Sequence, residues 1–353
     1  EMAPEGVRDV MRREIDQPEN RGYADNGILE FKESVASFME REFQVVLDPN
    51  KEINHCIGSK TAYAMLPAAF INPGDVTLMT VPGYPVAGTA TQWLGGEVYK
   101  IPLSPENNFL PDLESIPSNI LSRSKILVLC YPNSPTGKTA TVEFYEKVVE
   151  FAKKNRIIVV QDAAHMMLSY ETAPLSFLSI EGAKDVGVEV HSMSKGFHMI
   201  GWRLGWVCGH EKIVQAFADV KDNCDSGQFI AIQKAAAAAL GDPHIPHQVR
   251  EKYRRRLEKL VGVLRSVGFE CEMPGGTYFL YTKSPKGAGD QSFANASEAG
   301  QFLIKELSIS TVPWDDCGAF TRFSVTYEAH DETAENELMA DLHSRLTQAQ
   351  LKF

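Results

Sequence analysis

The segment Arg156-Ile-Ile-Val-Val-Gln-Asp162 is apolar at four consecutive positions and ends on two polar ones. Such a run suits a strand covered on both faces, because a strand with one solvated face would alternate instead. The reading extends outward to apolar or β-branched runs at 53–57, 76–80, 125–131, 186–191 and 204–208. Between them, residues 61–70, 86–94 and 142–154 carry apolar side chains at helical spacing. Strands alternating with helices from about residue 50 to 210 predict an α/β unit, a mainly parallel mixed sheet flanked by helices.

Past residue 210 the pattern changes. Helices are expected over 211–240 and 246–267, with Gly241-Asp-Pro243 punctuating them. A strand over 276–281, a helix over 296–307, a strand over 320–325 and a helix over 332–346 follow, and 284–296 reads as a surface loop. This is the signature of a smaller α+β unit. We therefore expect a large domain over 24–240 and a small one formed by 1–23 and 241–353.

Lys and Arg number 35 against 46 Asp and Glu, a net charge of −11. That balance argues against nucleic acid or an anionic membrane as a general partner, so any phosphate site is expected to be local. The six cysteines have no C-x-x-C pair and no metal-ligand spacing, which predicts reduced thiols, a cytoplasmic setting and no bound metal. No apolar run approaches the roughly 20 residues of a membrane span, and the first residues lack a signal peptide's apolar segment.

The chemistry concentrates at strand ends. His191-Ser-Met-Ser-Lys-Gly-Phe-His-Met-Ile-Gly-Trp-Arg203 holds an amine, two hydroxyls and a guanidinium in a short stretch. A lysine used as a Schiff base needs a partly desolvated pocket with a cationic neighbour, and arginine offers a planar fork to phosphate. Asp162 ends a strand, where ligands bind in open α/β sheets, although an aspartate capping a turn is the commoner case. A carboxylate there would hold a pyridine nitrogen protonated. Asn133, in Tyr131-Pro-Asn-Ser-Pro-Thr-Gly137, leaves another strand end in a proline-fixed turn. Gly58-Ser59-Lys60 joins a strand to a helix, so its amides suit a phosphate; a capped helix without ligand is the alternative. Tyr84, in Pro82-Gly-Tyr84-Pro85, offers a ring to a planar heterocycle, or is a buried turn residue.

In the order Tyr23, Gly58-Ser59-Lys60, Tyr84, Asn133, Asp162, Ser192-x-Ser194-Lys195, Arg203, Arg322, the chain resembles the class I/II aminotransferases of the fold-type I pyridoxal-phosphate superfamily. Residues 182–203 look most like the branch that acts on LL-diaminopimelate. The resemblance implies pyridoxal 5′-phosphate as cofactor, held by Lys195 as a Schiff base, with the same amine moving the proton at Cα. It implies that Asp162 pairs with the pyridine nitrogen and that Asn133 bonds the 3-hydroxyl oxygen and helps bind substrate. Tyr84 would stack on the ring. Ser59, Lys60, Ser192 and Arg203 would hold the phosphate, joined by Tyr23 of a partner subunit, in a homodimer with shared active sites. Arg322 would clamp the α-carboxylate of a small amino acid, and the acceptor would be a 2-oxo acid, 2-oxoglutarate. Arg322 should point away from Phe323 and Val325 in its strand, the alternative being a surface arginine on an edge strand.

The family usually has tyrosine three residues after the aspartate, and here stands His165, whose charge changes near neutral pH unless its surroundings prevent it. The chain also begins at a segment similar to the family's first small-domain helix, so the glycine-bearing arm that helps enclose substrate is expected to lie outside this sequence. Other class I/II aminotransferases acting on aspartate, alanine or aromatic amino acids, and pyridoxal-phosphate β-C–S lyases, share the same residues. Ser192-Met-Ser-Lys195 also fits the S-x-x-K pattern of serine acyl-enzymes, but no S-D-N or K-T-G follows it.

Overall fold

The computed structural model describes residues 1–171 and 173–353. Its first part runs α1 (Glu5–Glu14), α2 (Leu29–Phe43), β1 (Ile53–Cys56), α3 (Ser59–Phe70), β2 (Val76–Val81), α4 (Val86–Trp93), β3 (Glu97–Pro102), α5 (Ser118–Leu121), β4 (Ser124–Cys130), α6 (Val142–Asn155), β5 (Ile158–Asp162), β6 (Gly187–Ser192), α7 (Met193–Gly196), β7 (Gly205–Gly209), α8 (Glu211–Lys221) and α9 (Ile230–Gly241). The seven strands form one sheet in the order β1-β7-β6-β5-β4-β2-β3. β3, β2, β4, β5 and β6 are parallel; β7 runs antiparallel to β6 and β1 antiparallel to β7.

The apolar strands are covered on both faces, as their composition requires. Leu127 and Leu129 of β4 enter one core with Tyr145, Val148 and Val149 of α6. Their neighbours Ile126 and Val128 enter the opposite core with Tyr63 and Leu66 of α3 and Phe217 of α8. Full burial of each such side chain contributes roughly 1.5–3 kcal/mol. Inside the first core, Glu189 accepts from Ser176 Oγ at 3.0 Å and from the Phe177 amide at 2.6 Å, and meets His191 Nε2 at 2.8 Å. The His191 ring stacks on Trp206 at 4.7 Å, which ties β6 to β7 just before the lysine loop.

The second part runs α10 (His244–Ser266), β8 (Phe279–Lys283), β9 (Gly287–Ala288), β10 (Gln291–Ser292), α11 (Ala296–Leu307), β11 (Val312–Trp314), β12 (Phe320–Ser324), α12 (Glu332–Gln348) and β13 (Leu351–Lys352). β11-β12-β8 and β10-β9-β13 are small antiparallel sheets. Leu257, Leu260 and Leu264 of α10 pack on Leu280, Phe323 and Val325, forming a separate core.

Several expectations need correction. The helix expected over 211–240 is two helices, because Gly227 takes φ +82° and its amide bonds Asp225 Oδ1 at 2.8 Å in the break. The loop expected over 284–296 contains β9 and β10: Lys286 donates to Lys352 O at 2.7 Å, so the chain's last strand recruits it. Edge strands β3 and β11 were not anticipated, since β3 buries little beyond Ile101 and β11 carries Pro313. Helix α1, expected to belong with the small unit, packs on α9: Val7 is in the first core and Glu14 pairs with Lys234 at 3.1 Å. The alternative for Arg322, a surface arginine on an edge strand, is not what is found: it lies on β12, the central strand of its sheet.

Candidate active site

The strand-to-helix turn after β1 sets the first wall. Gly58 has φ +74° and ψ 152°, a conformation essentially reserved for glycine. A Cβ there would stand 2.2 Å from Arg203 Nη2, so the absence of a side chain lets the guanidinium lie against the start of α3. Gly205 makes the matching approach on β7, where a Cβ would lie 3.3 Å from the Ser59 amide. Ser192 is opposite Gly205 in the β6–β7 register, and its Oγ accepts from the Ser194 amide at 3.1 Å. Arg203 donates to Ile200 O at 2.9 Å and to Ser194 Oγ at 3.4 Å. Ser59, Ser192 and Arg203 are thus gathered beside the N-terminus of α3, whose free amides favour an anion. Lys60 opens that helix and is exposed. Tyr23 is 86% exposed and, among the described residues, makes no hydrogen bond to the others of this group.

The second wall lies at the C-terminal ends of β4 and β5. Asp162, Tyr63, Thr80, Tyr84 and Cys130 line one small cavity. Tyr63 and Tyr84 meet edge to face at 6.2 Å. Burial pushes the Asp162 carboxyl up to about 6, opposed by the Ala164 amide it accepts from at 3.0 Å, by Tyr63 and by the charge of Lys195. Asn133 is fully buried: its Oδ1 accepts from the Thr136 amide and hydroxyl at 3.1 and 2.8 Å, while its Nδ2 has no partner in the protein. A buried donor left so costs on the order of 1–3 kcal/mol unless a ligand accepts from it.

The third wall comes from the small unit. The Thr277 amide bonds Leu168 O at 2.9 Å and the Gly276 amide bonds Gly137 O at 2.9 Å, seating Tyr278 over the large unit. Lys195 Nζ lies 5.7 Å from the centre of the Tyr278 ring. His165 meets Tyr278 and Phe279 at ring distances of 5.1 and 5.8 Å. Burial, with the charges of Lys195 and Arg322, lowers its pKa to about 3, so the imidazole is neutral near pH 7. Arg322 sits 3.9 Å over the Phe279 ring, and its Nε is buried without a partner. Phe323 and Val325 point into the small core on the other face, as the alternation requires.

Apart from Tyr23 and Lys60, the residues named from sequence therefore converge on one cleft between the two units. Tyr63, Tyr278 and Phe279 were missed. Tyr63 follows Ser59 by four positions on α3, a spacing that places both on one helix face and was available as a signal. Tyr278 and Phe279 read only as strand residues. Chemically, the cleft offers an anion cradle, a buried carboxylate opposite an aromatic ring, and an amine between them.

The sequence profile of the family described as aminotransferase class I and II matches residues 2–341. The chain is 54% identical to the LL-diaminopimelate aminotransferase of Methanocaldococcus jannaschii, over 100% of this chain and 87% of that protein. It is 42% identical to the LL-diaminopimelate aminotransferase of Moorella thermoacetica, over 90% and 80% of the two chains. Among solved structures, apo-BacF from Bacillus subtilis superposes with a TM-score of 0.93 at 31% identity, covering 99% of this chain and 92% of that one. A probable N-succinyldiaminopimelate aminotransferase from Thermus thermophilus superposes with a TM-score of 0.88 at 26% identity, covering 99% and 92%.

Proposed function

Because this chain belongs to the class I and II aminotransferases, which depend on pyridoxal 5′-phosphate, we propose that it moves the amino group of LL-diaminopimelate to 2-oxoglutarate by a two-step, ping-pong route. The observation that carries the cofactor's placement is the state of Asp162. It is a buried carboxylate that, among the described residues, forms no ion pair. An uncompensated buried charge is costly, and a protonated pyridine nitrogen set against it removes that cost. The rest of the cleft fits the same group: Asn133 Nδ2 offers its free donor to the 3-hydroxyl oxygen, and Ser59, Ser192 and Arg203 cradle the phosphate. Lys60 and the partner subunit's copy of Tyr23 complete that cradle in this reading.

Bound there, pyridoxal 5′-phosphate supplies a carbonyl carbon that takes up the amino group and a ring that spreads the charge left when Cα loses its proton. The chain's own residues do the remainder. Asp162 holds the proton on the pyridine nitrogen, Tyr84 packs on the ring, and neutral His165 donates where the family's tyrosine usually does. Lys195 Nζ takes the α-proton as a general base. Arg322, planar and half-buried over Phe279, receives the α-carboxylate through a two-pronged pair, with Asn133 beside it. The Tyr278 ring, its centre 5.7 Å from Lys195 Nζ, gives that amine an apolar neighbour.

The choice of LL-diaminopimelate rests on similarity to relatives of that name. A polar site rejects analogues that leave its buried groups unpaired by large factors. Donor competition with 2-oxoglutarate as acceptor tests it: LL-diaminopimelate should give the highest kcat/KM, and an equal value for alanine, aspartate or phenylalanine overturns the substrate while leaving transamination in place. Pyruvate released with ammonia from a β-substituted amino acid would instead indicate elimination. The proposal includes a homodimer, a cytoplasmic enzyme with unpaired thiols, and a division near Gly241 between a large unit and a small one formed by the residues that follow.

A further inference from the structure

Arg203 adopts φ +55°, an uncommon conformation for a residue with a side chain, and something must hold it there. The neighbouring backbone carbonyls supply the means. Gln228 Nε2 donates to Trp202 O and to Arg203 O, both at 2.8 Å. With both amide hydrogens committed, Gln228 Oε1 is the acceptor at the other end, and it meets Nε2 of the fully buried His55 at 3.0 Å. His55 therefore carries its proton on Nε2. The chain of bonds continues: buried Gln233 donates to Gln228 O at 2.7 Å and accepts from the Ile28 amide at 2.8 Å. Gly27 lies flush against His55, with room for no Cβ, and Asn54 donates to Asn26 Oδ1 at 2.8 Å. On the far side, buried Lys221 reaches both Asp25 O and Asp225.

We infer that Gln228 is a positioning residue for the cofactor's phosphate: its amide fixes the backbone of Arg203, and hence the guanidinium beside Gly58, from the same buried network that anchors the segment following Tyr23. This rests on the proposed phosphate role of Arg203. Gln228 touches no reacting atom. It sets where the guanidinium starts from, and the His55–Gln228–Gln233 bonds set where Gln228 stands. The two ends of one network thus serve the two phosphate ligands, one for this chain's site and one for the partner's.

The test separates phosphate binding from general stability. The full chain, freed of cofactor, is titrated with pyridoxal 5′-phosphate and with pyridoxal, which lacks the phosphate. In Gln228→Leu the affinity for pyridoxal 5′-phosphate should fall roughly tenfold, the size of one or two lost hydrogen bonds, while that for pyridoxal changes less than about twofold. Gln228→Glu keeps the length but loses both donors and should show the same selective loss; it serves as the second variant if the leucine protein does not fold. Equal losses for both ligands, or no loss for either, overturn the inference. A wild type that binds the two ligands equally overturns the phosphate reading of Arg203 as well, whereas a strong wild-type preference left unchanged in the variants overturns this inference alone.

Discussion

At Asp162 the needs of the cofactor-free protein and of the reaction oppose each other. Burial raises its carboxyl from 3.8 to about 6, so in the cofactor-free protein the neutral form is the better tolerated one. The stabilising contribution is complete below the unfolded value and is lost as pH rises through about 6. Asp162→Asn should therefore stabilise the cofactor-free protein at pH 8 by up to about 3 kcal/mol and hardly at all below pH 4, read by urea unfolding. The same variant should keep cofactor and lose most of kcat, because the pyridine nitrogen no longer has a charge to hold its proton. An unchanged kcat would return Asp162 to a structural cap. Lys195→Ala should abolish steady-state transamination, since the amine proposed to hold the cofactor and to move the α-proton is gone. Near-normal turnover in that variant would overturn the lysine's assignment. His165 contributes no charge change near pH 7, its value lying at about 3, so the rate profile between pH 6 and 8 should not report its titration.

The turn between β1 and α3 is the element on which the cradle depends. Gly58→Ala forces a side chain into a glycine-only conformation, costing on the order of 1–3 kcal/mol, and drives its Cβ into Arg203 Nη2. The expected result is weaker pyridoxal 5′-phosphate binding with modest loss of Tm; retention of wild-type affinity would show that Arg203 can relocate freely. Strand β12 plays the corresponding part for the proposed substrate contact. It is the middle strand of its sheet, flanked by β11 and β8, so Arg322 is held by neighbours on both sides rather than swinging at an edge.

At the scale of the whole molecule, Ser59, Ser192 and Arg203, the residues of the proposed phosphate cradle, come from elements far apart in the chain, and Tyr23 is exposed. If the tyrosine serves the partner subunit, mixing a Lys195→Ala chain with a Tyr23→Phe chain should form hybrid dimers in which one site has both an intact lysine and an intact tyrosine. Activity above that of either variant alone is the expected outcome, and none after verified subunit exchange would argue against sharing. The two units meet through backbone bonds such as Thr277 to Leu168 and Gly276 to Gly137, which hold Tyr278 beside Lys195.

The sequence by itself determined six of the seven strands of the large sheet and the residues at their ends. Continuous apolar runs such as Ile157–Val160 are incompatible with a solvated face, and a polar residue closing such a run stands where the parallel sheet opens. Edge strand β3 was not legible, because a strand with little to bury carries little pattern. The break at Gly227 was legible but overlooked: Asp222-Asn-Cys-Asp-Ser-Gly227 is a polar turn run between the amphipathic α8 and the apolar α9. Only the tertiary structure decided that His165 is neutral, since its state depends on burial and on Lys195 and Arg322, which lie far from it in sequence. Only it brought Tyr278 to Lys195 and Gln228 to Arg203, because contacts between distant segments are set by how the cores pack and not by local spacing.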